Sequence, residues 1–133
     1  MSERDNVKFV RRLWAAIGEG GGLEAALELT APEVEWKPHA AGGRVLTSQE
    51  LLEFYRDFQG ERQLLEARPY SFHAHGDRVL ASGSFRLRGR ERMSEFQIHF
   101  VYEFDQAGTL IRATTYPTRG EALAAMGLEA PPD

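Results

Sequence analysis

The stretch SEFQIHFVYEFDQAGTLIRATTY, Ser94 to Tyr116, decides how the rest of the chain must be read. Apolar residues alternate at Phe96, Ile98, Phe100, Tyr102 and Phe104, a short turn ends at Gly108, and a second extended run begins at Leu110. Two such runs around a Gly-containing loop predict a β-hairpin. With Gln106 to Thr109 as the loop, Phe104 pairs with Ile111, Tyr102 with Ala113 and Phe100 with Thr115. Strand side chains alternate and paired residues point the same way, so these residues share one oily face. The opposite face sets His99, Val101 and Glu103 against Tyr116, Thr114 and Arg112, with a Glu103–Arg112 pair available across the strands.

Working outward, the period of two continues upstream. Leu64 to His75 reads as a strand in which Pro69 implies an edge or a bulge. Gly76-Asp77 is a turn, and Arg78 to Arg88 is the next strand. Val79, Ala81, Gly83, Phe85 and Leu87 lie on one face of it, and Leu80, Ser82, Ser84, Arg86 and Arg88 on the other. The N-terminal half has helical spacing instead. Val7, Val10, Leu13, Trp14 and Ile17 mark a helix from about Asp5 to Ile17, which GEGGG at Gly18 to Gly22 stops. A short helix from Leu23 to about Leu29 precedes the strand Val34-Glu35-Trp36 and the loop Pro38 to Gly43. Thr47 and Glu50 have capping-box spacing at the start of a third helix, whose stripe is Leu51, Leu52, Phe54, Tyr55 and Phe58. After the hairpin, Thr118 to Met126 forms a terminal helix with Thr118 as N-cap. The expectation is one α+β domain over residues 1–133, with a curved antiparallel sheet wrapped around three N-terminal helices as a cone.

Composition narrows the function. The 133 residues suffice to bury a core, and none is cysteine, which excludes a thiol nucleophile and a thiolate metal site. A net charge of -4, from 20 acidic and 16 basic residues spread along the chain, argues against a nucleic-acid partner. The arginines at 86, 88, 90 and 92 alternate with Glu91 and Glu95 nearby, as in a solvated hairpin tip. No run approaches the roughly 20 apolar residues of a membrane span. The charged, amphipathic N-terminus has no secretory apolar core, so a cytoplasmic location is expected.

The segments resemble the SnoaL-like branch of the nuclear transport factor 2-like superfamily, the cone fold shared with ketosteroid isomerases and limonene epoxide hydrolases. The resemblance rests on PEVEWKP (Pro32 to Pro38), SQELLEFYRDF (Ser48 to Phe58), GDRVLASGSF (Gly76 to Phe85), FVYEFDQAGTLIR and YPTRGEALAAMGL (Tyr116 to Leu128), and covers nearly the whole chain. That fold hosts isomerases, cyclases, dehydratases, hydrolases and non-catalytic modules. The resemblance implies a steroid-isomerase general base at or beside Trp36, an oxyanion donor near Phe100 and a tyrosine near Leu13, and all three positions are apolar here. It also implies a SnoaL-type histidine at Phe100 and a last-strand carboxylate near Thr115, and this chain has neither. A homodimer through the outer sheet face (His99, Val101, Arg112, Thr114, Tyr116) is a further implication.

Among four histidines, His39 sits in the loop where such a cone opens and is the candidate general base. His73 and His75 share a strand face, but no cysteine or carboxylate completes a metal set. Tyr55 and Tyr102 are the remaining candidate catalytic groups. Leu13, Trp14, Trp36, Phe54, Phe58, Phe85, Phe100 and Thr115 are the candidate ligand wall. Core packing accounts for each aromatic singly, yet an oily enclosure with a few polar tips is the usual form of a small-molecule site. The expected protein binds a small apolar molecule. In its enzymatic form it is a cofactor-independent isomerase, cyclase or dehydratase of a small apolar carbonyl compound; the alternative is a non-catalytic dimerisation or interaction module with a vestigial pocket.

Overall fold

The computed structural model describes the backbone of residues 2–18, 22–59 and 63–128, and the side chains of these except 58, 59 and 63–65. Helix α1 spans Glu3–Ala16. It starts where Ser2 Oγ accepts from the Asp5 N–H at 3.2 Å and Asp5 Oδ2 accepts from the Ser2 N–H at 3.5 Å. Its inward face carries Val10, Leu13 and Trp14. The glycine run expected to stop it lies partly outside the described residues. Helix α2 is Gly22–Leu27, shorter than expected because the Thr30 hydroxyl and N–H both donate to the Leu27 carbonyl and close it. Strand β1 is Glu35–Lys37, and a 3-10 turn covers His39–Ala41. Helix α3, Ser48–Gln59, is capped by the reciprocal Thr47–Glu50 bonds that its sequence spacing promised.

Strands β2 (Gln63–His75), β3 (Arg78–Arg88), β4 (Met93–Phe104) and β5 (Leu110–Tyr116) precede helix α4, Arg119–Ala125. The sheet order is β1, β5, β4, β3, β2. Neighbours are antiparallel except β1, which pairs in parallel with β5. The sheet is therefore mixed and open, where the sequence predicts an antiparallel one. The long connection through α3 and three strands returns the chain beside β1 in the same direction. On its other side β1 is held by Leu46, which exchanges two backbone hydrogen bonds with Trp36 at 2.7 and 3.0 Å.

The hairpin has the expected register at Phe100–Thr115, Tyr102–Ala113 and Glu103–Arg112, and then departs from it. Phe104 pairs with Leu110, not Ile111. Asp105 is the cause: its Oδ1 accepts from the N–H groups of Ala107 and Thr109 at 2.9 Å each, and its own N–H donates to the Thr109 carbonyl. Asp105 thus joins the loop, and Ile111 becomes the extra residue of a bulge. Ile111 is 47% exposed, whereas Leu110 at 4% takes the core position. The irregularity expected at Pro69 is present as a register shift between Pro69 and Ser71, on a strand that is indeed an edge.

Trp14 joins α1 to the concave face of the sheet. Its ring lies over Gly83, where an added Cβ would stand 2.7 Å from Trp14 Cζ3 and 2.9 Å from the Pro69 Cα. Phe85 and Phe100 flank the indole at centroid distances of 5.5 and 6.1 Å. Val10, Leu13, Leu27, Trp36, Leu51, Val79, Phe85, Phe100, Tyr102 and Phe104 belong to this main core.

The outer face is also occupied, by the terminal helix, whose side of the sheet no local period in the sequence decides. Helix α4 packs Ala122, Leu123 and Met126 on Leu80 and Val101, forming a second, smaller core. Residues that the alternation places on the outer face are thereby buried within the chain. Ser82 and His99 pair across β3 and β4, with Ser82 Oγ 2.8 Å from His99 Nδ1. At one end of this face, Glu35, Arg112, Glu103 and Arg78 stand in register across four strands. Arg112 donates from Nε and Nη2 to Glu35 Oε2 at 3.0 and 2.7 Å, and reaches Glu103 only at 3.9 Å. The expected Glu103–Arg112 pair is therefore the weaker of its contacts. Arg78 Nε lies 3.5 Å from Glu103, and its Nη1 donates to the Ala125 carbonyl at the end of α4.

Gly83→Ala is expected to lower unfolding free energy by about 1–3 kcal/mol, the usual cost of overpacking, because the methyl meets backbone and a fixed indole. Urea denaturation checks this, and an unchanged midpoint contradicts the seating of Trp14. Burial, then the Arg119 charge, holds His99 below its ordinary 6.5. The unfolded chain consequently binds this proton at higher pH than the folded one. The contribution to stability is complete above about pH 6.5 and is lost as the pH falls below it. His99→Gln should flatten that acid-side decline in a pH series of urea midpoints.

Candidate functional site

Among the described residues, the interior holds a buried polar pair built from two distant elements. Helical spacing puts Trp14 on the inward face of α1, and strand alternation puts Tyr102 on the inward face of β4. Trp14 Nε1–H donates to Tyr102 Oη at 3.1 Å, in surroundings that leave the residues 1% and 3% exposed. An indole can only donate, so this bond uses the acceptor capacity of the phenol and leaves its O–H proton unspent. Among the described residues no group accepts that proton. Phe100 stacks on the Tyr102 ring at 5.3 Å with 19° between planes, fixing where the hydroxyl points.

Tyr55 reaches the same core from α3, its ring edge-on to Phe54 at 5.5 Å. Burial raises the Tyr55 phenol to about 12. Burial raises Tyr102 as well, the Trp14 bond opposes that rise, and the charge of an ionised Tyr55 adds to it. The two phenols therefore sense each other. At neutral pH both are protonated and serve as hydrogen-bond donors, not bases.

The other expected residues are placed differently from one another. Leu13 and Phe85 lie with Trp14, Phe100 and Tyr102 in the main core, with Phe54 partly buried against it. The Phe58 side chain lies outside the described residues. Trp36 is in that core too, but its Nε1–H donates to Ser48 Oγ at 3.1 Å, so its polar tip is tied to the start of α3. Thr115 is buried and its hydroxyl accepts from the His39 backbone N–H at 2.6 Å, which anchors the 3-10 turn to β5. His39 itself is exposed, and its backbone, not its imidazole, makes the bond to Thr115. The structure does not bring it together with Tyr55 and Tyr102 in the core.

The remaining histidines lie elsewhere. His73 and His75 are exposed on β2, and His99 is under α4 on the outer face. No group of three or more His, Asp or Glu among the described residues could hold a metal ion. The buried polar residues are Asn6, Ser82, Ser84, His99 and Thr115, so none of the buried described residues is a carboxylate. Sequence reasoning found both members of the Trp14–Tyr102 pair without joining them. The available signal was that two buried aromatics with polar tips need partners. It missed Ser48 as the anchor of Trp36.

No protein-family model matches the chain, and no curated protein matches its sequence. Solved structures do match its shape. An NTF2-like protein of unknown function from Burkholderia pseudomallei is 21% identical with a TM-score of 0.65, over 95% of this chain and 98% of that one. TerC, co-crystallized with polyporic acid, is 18% identical with a TM-score of 0.66, over 92% and 98%. A SnoaL-like polyketide cyclase, so described provisionally, from Mesorhizobium loti is 14% identical with a TM-score of 0.63, over 87% and 99%. With a five-stranded mixed sheet, three helices on its concave side and one behind it, this chain has the NTF2-like α+β cone fold that SnoaL-like proteins share.

Proposed function

We propose that the protein binds a small, mostly apolar molecule between its N-terminal helices and the concave face of the sheet, and orients it by a hydrogen bond from Tyr102 to a ligand carbonyl or hydroxyl oxygen. The observation that carries this reading is the unspent Tyr102 proton, held in an apolar core by a donor-only partner. A buried donor without an acceptor costs free energy, and a ligand oxygen recovers it. Tyr55 supplies a second phenol from the facing helix. The structural neighbour TerC, co-crystallized with polyporic acid, supports small-molecule binding on this fold.

Isomerase, cyclase or dehydratase chemistry on a carbonyl compound would use Tyr102 as the donor that steadies developing oxyanion charge. Such chemistry also needs a base. The buried described residues offer no carboxylate, both phenols stay protonated, and His39 is exposed. Binding without turnover is therefore the reading we favour, with the acid–base enzyme as the alternative. The absence of cysteine fits a cytoplasmic location, and no helix among the described residues is long and apolar enough to cross a membrane.

A homodimer through the outer sheet face would have to use what α4 leaves open. Val101 and His99 are buried within the chain, whereas Arg112 is exposed and Thr114 and Tyr116 are partly so. Light scattering of the purified protein decides this: a dimer lost on Tyr116→Glu supports that interface, and a monomer at all concentrations removes it.

The binding reading is tested with α-tetralone and its hydrocarbon counterpart tetralin, titrated against intrinsic tryptophan fluorescence. The ketone should bind more tightly to the wild type, and Tyr102→Phe should weaken it about 5-fold, near 1 kcal/mol, while leaving tetralin unchanged. Equal affinity of the two compounds for the wild type, or no saturable signal with either, sinks the reading.

A further inference from the structure

A hollow lies between α1 and the bulged edge of β2. It measures about 340 Å³ and is lined by Arg11, Trp14, Ala15, Gly18, Ala67, Pro69 and Phe72. The small residues on both walls create the space, and its size is at the lower end for small-ligand sites. We propose that this groove is a binding site for a small amphipathic carboxylate, the head on Arg11 and the apolar body along Ala15, Ala67, Pro69 and Phe72.

Among the described residues of the lining, Arg11 is the one that carries a charge. Its guanidinium stands 4.5 Å from the centroid of the Phe72 ring, which holds the planar group by its face and leaves the donor-bearing edge open. No carboxylate pairs with it among the described residues. Arg4 and Lys8 lie seven and three residues earlier, on the same face of α1 by helical spacing, and add positive potential at that end. The opposite end of the groove meets the C-terminus of α1 near Gly18, where helix carbonyls carry partial negative charge. A carboxylate is repelled there and drawn to Arg11, so the electrostatics set the ligand's direction.

The edge strand itself argues for a small molecule over an added peptide strand. Pro69 has no N–H to donate, and the register shift beside it sets Tyr70, 54% exposed, out of the ladder. A proline and a bulge interrupt the row of backbone groups that an incoming strand needs.

Calorimetric titration with sodium octanoate and with 1-octanol tests the proposal on the whole chain. Octanoate should bind saturably to the wild type and to Tyr102→Phe with equal affinity, because Tyr102 does not line the groove and only its partner Trp14 does. Arg11→Gln should weaken octanoate at least five-fold and leave 1-octanol unchanged. Ala15→Phe, which keeps the arginine but fills the groove, should weaken both. Octanoate affinity that survives Arg11→Gln or Ala15→Phe, or that falls only in Tyr102→Phe, overturns the site, as does the absence of saturable heat at millimolar octanoate. The Tyr102 variant also separates this outcome from the fate of the interior ligand site.

Discussion

Trp14 seated over Gly83, with its N–H on Tyr102, is the contact on which the interior depends. A helix must cross the concave side of a sheet closely enough to exclude water, and its largest side chain must fit where strands β2 and β3 pair. Only a residue without Cβ at position 83 lets the indole settle there, with the Pro69 backbone beneath it. Removing a fully buried tryptophan side chain costs on the order of 3–5 kcal/mol, so this seat also matters for stability. The hydrogen bond that satisfies the indole N–H consumes the Tyr102 lone pair and not its proton. Packing and polarity are thus coupled: the contact that holds α1 down also leaves the Tyr102 proton unspent.

The outer face follows a different logic. Leu80 and Val101 would leave an apolar strip in water, and α4 covers it. The alternating Glu35, Arg112, Glu103 and Arg78 ladder borders that strip, and Arg78 ties it to the helix by donating to the Ala125 carbonyl. Partly exposed pairs of this kind are individually weak, so the ladder matters chiefly for registering four strands and one helix end. His99 and Ser82 lie in the covered zone between, which makes this face sensitive to protonation.

Much of this was legible in local sequence. Helical spacing located α1 and α3, Thr47 and Glu50 marked a capped helix start, Pro69 marked an irregular edge, and the Phe100–Thr115 and Tyr102–Ala113 pairs followed from strand alternation. The failures have physical causes. The one-residue slip at Phe104 came from Asp105, whose side chain captured two backbone donors and extended the loop. The parallel partner of β1 and the position of α4 behind the sheet are long-range choices that no local period encodes. The candidate site was half legible: alternation assigned Tyr102 to the inner face, but its bond to Trp14 joins residues 88 positions apart. The family-level expectation correctly indicated the fold, while the apolar residues at Leu13, Trp36 and Phe100 withheld the chemistry.

The central claim is that Tyr102 spends its free proton on a ligand oxygen. Infrared difference spectroscopy of bound α-tetralone, with and without a carbonyl ¹³C label, tests it directly. A hydrogen bond from Tyr102 predicts that the carbonyl band of the bound ketone lies below its position in an apolar solvent and returns toward that position in Tyr102→Phe. A band at the same frequency in wild type and variant would contradict the account.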